Sequence, residues 1–298
     1  MMRLKKIYGV LGVVLSISAL TLWASCQKQA KASDPLRVMT YNIRYDNQSD
    51  GINRWSERLG RVEAFLDEEH PDLIGAQEVL KNQLDDMLSI LPTYGYIGVG
   101  REDGKEAGEY SPIFYNKERV ELVDGGYFWL SETPEAVASV GWDAALERIA
   151  TWGLFKDLQS DSLFFMLNTH FDHVGDIARI NSAALIQERV KEWQADYPVV
   201  VTGDFNLPPE SAPVRQIKNP QVEGFLYDSF EMAPKRVGAS WTFHDFGELP
   251  VARRERIDYI LYQGAWSPIS YTCFDEEDHA DKVYLSDHNP VMVELVRR

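Results

Sequence analysis

Short apolar stretches bounded by turn-forming residues recur along most of the chain. They are rich in Val, Ile, Phe and Tyr, as expected of strands that are buried on at least one face. The pattern predicts strands over residues 36–43, 72–78, 94–99, 112–116, 120–129, 150–156, 162–169, 198–202, 257–262, 266–272 and 291–295. Few helical segments interrupt them, which favours a strand-rich α/β protein.

Two segments instead show the three- and four-residue spacing of amphipathic helices. The first begins at Trp55 and continues until Pro71 prevents its extension. The second covers residues 176–193 and is predicted to be a surface helix. Its apolar face is expected to contain Ile177, Ile180, Ala184 and Val190.

Composition narrows the class of protein. Of 298 residues, 45% are hydrophobic and 12% aromatic, so there is enough apolar material for a globular core. Two cysteines are too few for a disulfide scaffold or a cysteine-based zinc site. A chain of this length can hold two domains, but no repeat or flexible linker divides residues 35–298. We therefore expect one catalytic domain there.

The first residues have the pattern of a targeting segment. A cationic start precedes an uncharged apolar stretch that ends just before Cys26. This pattern predicts a signal peptide over residues 1–25, and the position of Cys26 resembles a bacterial lipoprotein cleavage site at which that cysteine is lipidated. An uncleaved membrane anchor is the alternative. Residues 26–34 would form a polar tether, and we expect export to the periplasm or outer membrane of a Gram-negative bacterium.

The charge balance disfavours a polyanionic partner. There are 30 Lys and Arg residues against 46 Asp and Glu residues, a formal net charge of −16. DNA binding depends on cations that displace counterions from phosphates, so the average surface should repel a duplex. We expect no preference for duplex DNA, although a local basic groove or a bound metal could offset this field.

Polar side chains follow many of the predicted strands. Residues at successive strand ends converge on one edge of a sheet, so these positions predict a single pocket. Taken alone, Asp204 and Asn206 could form an Asx turn and His170 could be a core histidine. Glu78 is harder to explain structurally, because a carboxylate that closes an apolar strand needs a cation or donors.

Read in chain order, these positions resemble the endonuclease/exonuclease/phosphatase superfamily, which includes pancreatic deoxyribonuclease, abasic-site endonucleases, sphingomyelinases and nocturnin-like deadenylases. The matching motifs are Asn42, Glu78, His170, Gly203-Asp204-Phe205-Asn206, Asp258 and Ser286-Asp287-His288. The resemblance implies a four-layer αββα sandwich of two mixed β-sheets flanked by helices, with a phosphoester hydrolase site at one rim. Residues 108–115, 148–152 and 169–173 are most similar to secreted bacterial members related to the nocturnin and deadenylase branch.

A metal site can be predicted from the donor types. Glu78 and Asp287 offer carboxylate oxygens and Asn42 offers a carbonyl oxygen. Such hard ligands suit Mg²⁺ or Mn²⁺, which keep several waters and bind substrate oxygens. The lack of histidine pairs at ligand spacing disfavours zinc.

His288 is the preferred general base, with Asp258 orienting its imidazole. Whether His288 accepts the proton or acts only through its charge is left open by the sequence. By resemblance, Asp204 positions or deprotonates the attacking water and Asn206 donates to the phosphoryl group. The resemblance also has His170 contacting a phosphoryl oxygen or assisting the leaving group.

Further candidates have structural alternatives. By resemblance Glu109 is expected to pair with His170, and Tyr110 is a candidate phosphate contact. Arg148 would either clamp phosphate or form an ordinary salt bridge. Asp172 and His173 would extend the polar network or lie in a solvated loop. Three aromatic or imidazole side chains could stack on the substrate or merely cover the core: Trp241, Phe243 and His244.

The leading functional prediction is an exported, metal-dependent hydrolase that cleaves a phosphodiester or phosphomonoester by in-line attack of water. Its substrate is expected to be a phosphorylated small molecule, glycan or lipid head group, and the protein is expected to be a monomer. The alternative is a scavenging nuclease acting on DNA or RNA, which would need a basic channel beside the site. A non-catalytic binding module is disfavoured, because every metal and base residue of the motif set is present.

Overall fold

The computed structural model describes residues 34–275 and 283–298. The predicted signal peptide, Cys26 and nearly all of the predicted tether lie outside the described residues. Within the described ranges, no helix combines the length and the hydropathy needed to cross a membrane.

The described chain holds more residues in β-strands than in α-helices, and the helices lie between strands in the sequence. The strands are β1 (Leu36–Asn42), β2 (Leu73–Gln77), β3 (Tyr94–Ile97), β4 (Ile113–Asn116), β5 (Val120–Trp129), β6 (Ile149–Asp157), β7 (Ser162–His170), β8 (Val199–Asp204), β9 (Tyr227–Asp228), β10 (Arg236–Gly238), β11 (Asp258–Gln263), β12 (Trp266–Cys273) and β13 (Val291–Arg297). The α-helices are α1 (Trp55–Glu69), α2 (Lys81–Ile90), α3 (Asp176–Trp193), α4 (Ala212–Ile217) and α5 (Ser229–Met232), and short 3₁₀ helices cover Gln48–Asn53 and Val251–Arg253.

The strands form two mixed sheets. The first has the order β10-β12-β13-β1-β2-β4-β3 and the second the order β5-β6-β7-β8-β11-β9. A parallel pair lies near the middle of each sheet, β1 with β2 and β7 with β8, and antiparallel neighbours flank it. Parallel pairs place the carboxyl ends of both strands at the same edge.

Three apolar layers hold the molecule together. Between the sheets, Val38 of β1 packs in one cluster with residues of the opposite sheet such as Phe155. Outside the first sheet, Val62 of α1 belongs to a second cluster. Outside the second sheet, Ile186 of α3 packs with Val201 of β8. The result is the four-layer αββα sandwich that the family resemblance implied.

Helix α3 forms where predicted, but Val190 is the one residue of its predicted apolar face that is buried. Ile177 and Ile180 are 55% and 45% exposed, and Ala184 is also exposed. The buried positions are Ala178, Ser182, Ala183, Ile186, Gln187 and Val190. Small side chains at the start of this stripe let the helix lie close to the sheet, so the larger isoleucines are left on the outside.

Period-two alternation along the central strands places the site. In β1, Met39 packs toward the helices whereas Val38 packs between the sheets. Asn42 lies an even number of positions from Val38 and therefore projects from the same inner face. In β8, Val200 packs between the sheets, and Asp204, four positions later, projects from the same inner face. Functional side chains thus project from the ends of the inner faces, where the sandwich opens.

Candidate active site

A cavity of about 510 Å³ opens where these strand ends meet. Its walls are largely charged or polar, and they bring together side chains from both ends of the described chain. Glu78 and His288 therefore lie on the same side of the molecule. The predicted residues that line it are Glu78, Glu109, Arg148, His170, His173, Asp204, Asn206, Phe243, Asp287 and His288.

His288 is held between two carboxylates. Its Nδ1 lies 2.8 Å from Asp258 Oδ2, and its Nε2 lies 3.8 Å from Asp204 Oδ2. All three side chains are buried. Burial alone would lower the pKa of His288, but the hydrogen-bonded Asp258 carboxylate and the neighbouring acids outweigh it and raise the pKa to about 10. Asp258 therefore fixes the position of the imidazole, and the raised pKa keeps the ring protonated near neutral pH.

Asp204 connects several of the predicted residues. Its Oδ2 accepts a hydrogen bond from Asn42 Nδ2 at 3.0 Å and lies 3.5 Å from His170 Nε2. Its Oδ1 accepts the backbone N–H of Asn206 at 2.8 Å. Antiparallel pairing of β8 with β11 sets Asp204 directly opposite Asp258. Burial, together with the charge of Asp258, raises the pKa of Asp204 to about 7.

Glu78 and Asp287 form a second acidic pair on the cavity wall. Glu78 Oε1 accepts from Asn42 Nδ2 at 3.1 Å and Oε2 from the Tyr45 backbone N–H at 3.1 Å. Burial raises the pKa of Asp287 to about 6, an effect that the charge of Glu78 reinforces and that of His288 opposes. A hard divalent cation would stabilise two carboxylates that repel each other, so this donor set fits Mg²⁺ or Mn²⁺.

The third predicted ligand is oriented differently from the expectation. Asn42 Oδ1 accepts the backbone N–H of Arg44 at 3.0 Å, and its Nδ2 faces the carboxylates of Glu78 and Asp204. Reversing the amide would set its oxygen against both carboxylates. Asn42 therefore holds the acids in place through its nitrogen, and the prediction of a carbonyl metal ligand is wrong for this geometry.

A different trio also has ligand-like spacing. Asp204, Asp258 and His288 each offer one ligand atom within 4.8 Å of the others. His288 Nδ1 is already bonded to Asp258, and Asp204 already accepts from Asn42. These bonds account for the trio as a hydrogen-bonded chain, which leaves the Glu78–Asp287 pair as the candidate metal site.

His170 and Asn206 contact each other at the cavity wall. Asn206 Nδ2 lies 3.0 Å from His170 Nε2 and also donates to the Phe171 carbonyl oxygen at 3.1 Å. Burial, with the charges of Arg148 and Arg101 adding to it, holds the pKa of His170 well below its usual value. The imidazole is therefore neutral, and it can accept at Nε2.

Three of the strand-end turns adopt backbone conformations that are uncommon for side-chain-bearing residues. The φ angles of Arg44, Glu78 and Asn206 are 56°, 60° and 50°. Left-handed conformations of this kind cost free energy and cluster at functional sites. Here each one turns the chain sharply at the cavity rim.

The expected pairing of Glu109 with His170 is wrong. Both oxygens of Glu109 instead accept from Arg101, at 2.9 Å each. The expected phosphate contact at Tyr110 is wrong as well: the residue is 2% exposed, packs in the apolar layer outside the first sheet and does not belong to the described cavity wall. An isolated antiparallel bridge joins the backbones of Tyr110 and Val79. Both of these side chains pack in the core, whereas the residues before them, Glu109 and Glu78, line the cavity.

Arg148 was expected either to bind phosphate or to form a salt bridge, and its position has features of both. Its Nε lies 3.3 Å from Asp172 Oδ2, and its Nη2 lies 2.8 Å from His173 Nδ1. Arg148 and His173 also line the cavity. Asp172 lies behind them, where its Oδ1 accepts the backbone N–H groups of Val174 and Gly175. Arg148 is thus an ion-paired cation that still faces the space available to a substrate.

The aromatic candidates separate into two groups. Phe243 lines the cavity, with its ring centroid 4.9 Å from that of His288. Trp241 stacks against the Arg254 guanidinium and is absent from the cavity wall as far as the structure describes it. His244 is buried outside that wall, where it accepts the Gly247 N–H at 3.1 Å and burial lowers its pKa to about 3. Substrate contact by Trp241 or His244 is therefore not what the structure shows.

Some wall residues were not expected from the sequence. They include two cations and several loop side chains: Arg44, Tyr45, Arg101, Leu146, Asp245 and Ile257. For Arg44, the local signal in the sequence is its position two residues after the predicted site residue Asn42. Arg101 lies in an irregular loop, where periodicity carries no information.

Comparison with known proteins agrees with this geometry. Residues 39–288 match the model of the Endonuclease/Exonuclease/phosphatase family. An endonuclease/exonuclease/phosphatase structure from Bacteroides vulgatus is 42% identical, with a TM-score of 0.84 over 89% of this chain and 100% of that one. A mannosyl-6-phosphatase of Bacteroides thetaiotaomicron is 36% identical, with a TM-score of 0.78 over 88% and 99% of the two chains.

The human nocturnin catalytic domain shares the fold at 18% identity, with a TM-score of 0.68 over 90% of this chain and 97% of that one. The family match covers the segment from β1 to His288 and therefore includes every residue assigned above to the acidic and histidine groups. The chain belongs to the endonuclease/exonuclease/phosphatase family, whose members hydrolyse phosphoesters.

Proposed function

We propose that the protein is a divalent-metal-dependent phosphoesterase that removes phosphate from a phosphorylated sugar. The observation that carries this proposal is the meeting, in one cavity, of the Glu78–Asp287 pair with His288, which Asp258 holds from behind the wall. The acidic pair offers hard oxygen ligands, and the imidazole holds a proton. A phosphate ester needs both, because its negative charge repels the hydroxide-like nucleophile that forms as the attacking water loses its proton.

Each group has a part that follows from its position. Glu78 and Asp287 would hold the Mg²⁺ or Mn²⁺ ion, which when bound supplies positive charge to the phosphoryl oxygens. Asp204 Oδ2 and His288 Nε2 lie 3.8 Å apart on the cavity wall, so one water can contact both atoms. The raised pKa keeps His288 protonated, so Asp204 would accept the proton of the attacking water while His288 donates a hydrogen bond. Asn206 and His170 line the cavity beside Asp204, and a bound phosphoryl oxygen would replace His170 Nε2 as the acceptor of Asn206 Nδ2.

The other walls of the cavity favour a sugar over a nucleobase. The Arg101–Glu109 pair and the Arg148–His173 pair offer donors and acceptors suited to several hydroxyl groups. Among the described wall residues, only Tyr45 and Phe243 present aromatic rings. The activity of the Bacteroides thetaiotaomicron relative, a mannosyl-6-phosphatase, supports the same class of substrate.

The test is phosphate release from a panel of substrates by the purified full chain with Mg²⁺ or Mn²⁺. The panel holds mannose 6-phosphate, glucose 6-phosphate, p-nitrophenyl phosphate, bis-p-nitrophenyl phosphate and single-stranded DNA, with Asp204→Ala as the inactive control. Sugar monoesters should be hydrolysed with the highest kcat/KM. Faster hydrolysis of the diester or of DNA would overturn the substrate assignment, and no hydrolysis of any compound would overturn the proposal as a whole.

A further inference from the structure

Beneath the cavity the two sheets meet through hydrogen-bonding side chains. On the inner faces, a polar residue lies two positions before three of the site residues: Thr40 precedes Asn42, Asn168 precedes His170 and Thr202 precedes Asp204. Gln77, which directly precedes Glu78, completes the group. All four side chains have 0% exposure. We call Thr40, Gln77, Asn168 and Thr202 the polar seam.

The seam connects strands of one sheet to strands of the other. Asn168 Oδ1 on β7 accepts from Gln77 Nε2 on β2 at 2.7 Å and from Thr202 Oγ1 on β8 at 3.0 Å. Asn168 Nδ2 donates across the sandwich to the carbonyl oxygens of Ala76, at 2.6 Å, and Pro112, at 3.0 Å. These bonds tie β2, which ends directly before Glu78, to the strands that end at His170 and Asp204.

A glycine makes this close approach possible. A Cβ atom on Gly75 would lie 2.1 Å from Thr202 Oγ1 and 2.6 Å from Asn168 Oδ1. Real Cβ atoms do not approach other atoms this closely, so any side chain at this position would force the sheets apart. The spacing of the sheets beneath the cavity therefore depends on Gly75 as well as on the seam.

Stability alone does not explain a buried polar layer. Apolar side chains of similar shape would hold the sheets together at least as well, because buried polar groups lose their hydration. Such side chains do so one step further from the cavity, where Val38, Met166 and Val200 pack between the sheets. Hydrogen bonds are directional and apolar contacts are not, so the seam restricts how one sheet can shift against the other.

We propose that the polar seam is a set of positioning residues that fixes the separation of the Glu78 carboxylate, carried by the first sheet, from His170 and Asp204, carried by the second. Misplacing reacting groups by about 1 Å costs on the order of 10²-fold in rate. The kinetic part of this inference rests on the proposed function, whereas the metal-binding part below rests only on its metal site and not on catalysis.

The kinetic test uses Thr202→Val, which keeps the side-chain volume and removes the hydroxyl. Thr169→Val is the matched control, because Thr169 is also buried and its hydroxyl donates to a backbone carbonyl, that of Ile149 at 3.1 Å, outside the seam. Relative to this control, Thr202→Val should lower kcat for a sugar phosphate about tenfold or more. KM and Tm should match the control, and Thr202→Ser, which retains the hydroxyl, should restore kcat.

The second test needs no substrate. Binding of Mn²⁺ alone is measured by electron paramagnetic resonance for the wild type, Gln77→Leu and Gln187→Leu. Gln187 is the control because it is a buried glutamine on α3 whose Nε2 donates to the Gln216 carbonyl oxygen at 3.2 Å. Gln77→Leu should weaken Mn²⁺ binding about tenfold, as loss of outer-shell support does at other metal sites. Gln187→Leu should bind like the wild type.

Each outcome decides the proposal. Equal kcat in Thr202→Val and Thr169→Val, or equal Mn²⁺ affinity in Gln77→Leu and the wild type, would overturn the positioning role. If the wild type releases no phosphate from any compound, the proposed function fails and the Mn²⁺ affinities alone decide the role of the seam. A wild type that binds no Mn²⁺ would overturn both.

Discussion

His288 Nδ1 lies 2.8 Å from Asp258 Oδ2, and the opposite nitrogen of the same ring faces Asp204 Oδ2 at 3.8 Å. Strand pairing explains this relationship, since β8 and β11 set the two aspartates opposite each other. The turn that carries His288 inserts the imidazole between them. Because Asp258 fixes the imidazole of His288 and Asp204 faces its other nitrogen, a proton can be exchanged on the Asp204 side while the ring keeps its position.

Replacing His288 should therefore abolish turnover and leave the protein folded. For His288→Gln we expect kcat to fall by about 10²–10⁴-fold, the usual contribution of a positioned acid–base group. His244→Gln is the matched control, because this second buried histidine lies outside the described cavity wall. Steady-state kinetics and circular dichroism measure both variants. A His288→Gln enzyme as active as the control would remove His288 from the mechanism.

Removing one acid of the Glu78–Asp287 pair should have opposite effects with and without metal. In metal-free buffer Glu78→Gln should raise Tm, because it relieves repulsion of the buried Asp287 carboxylate. In millimolar Mg²⁺ the wild type should gain Tm through binding, and the variant should gain much less. Differential scanning calorimetry in EDTA and in Mg²⁺ measures this. Equal Mg²⁺ stabilisation of both proteins would contradict a metal role for Glu78.

Arg148→Met separates the two roles considered for this arginine. A substrate contact predicts a KM increase of about tenfold, since a hydrogen bond to a charged group is worth about 1.5–3 kcal/mol. A purely structural ion pair with Asp172 predicts a lower Tm at unchanged KM. We expect the KM increase, because Arg148 lines the cavity. Arg215→Met, at an exposed position on α4, is the control.

His244 should make the protein less stable in acid. Its folded-state pKa of about 3 lies below the ordinary value of 6.5, so the unfolded chain takes up this proton first. The stability associated with neutral His244 is complete above pH 6.5 and is lost as the pH falls toward 3. The slope is at most about 1.4 kcal/mol per pH unit. Urea unfolding at several pH values should show a shallower acid decline for His244→Gln, and parallel curves would contradict the assignment.

The sequence predicts the fold well where each strand has a strong local pattern. It does not reveal α2, whose contact with the core depends on a few positions such as Leu84 and Met87. It also places the wrong face of α3 inward, because hydrophobicity marks Ile177 and Ile180 whereas the close fit to the sheet uses smaller residues. Which face is buried is decided by tertiary packing, which a single helix does not encode.

In the site, too, the sequence indicates the features that depend on local pattern and not those that depend on tertiary packing. Polar residues at strand ends, such as Glu78 and Asp204, can be found from sequence because a strand dictates where its end points. The partner of Glu109 cannot, since Arg101 lies in an irregular loop eight positions away and meets it only after folding. The orientation of the Asn42 amide is likewise set by a backbone N–H that no motif records.

The metal requirement of catalysis is tested most directly by measuring phosphate release from a sugar phosphate by the wild type and by Glu78→Gln. The protein is first stripped with EDTA and then titrated with Mg²⁺ or Mn²⁺. The stripped enzyme should show no turnover, and the wild type should recover fully when metal is added. Glu78→Gln should require at least about tenfold more metal for half of its activity. Undiminished hydrolysis in the presence of chelator would contradict a metal-dependent mechanism.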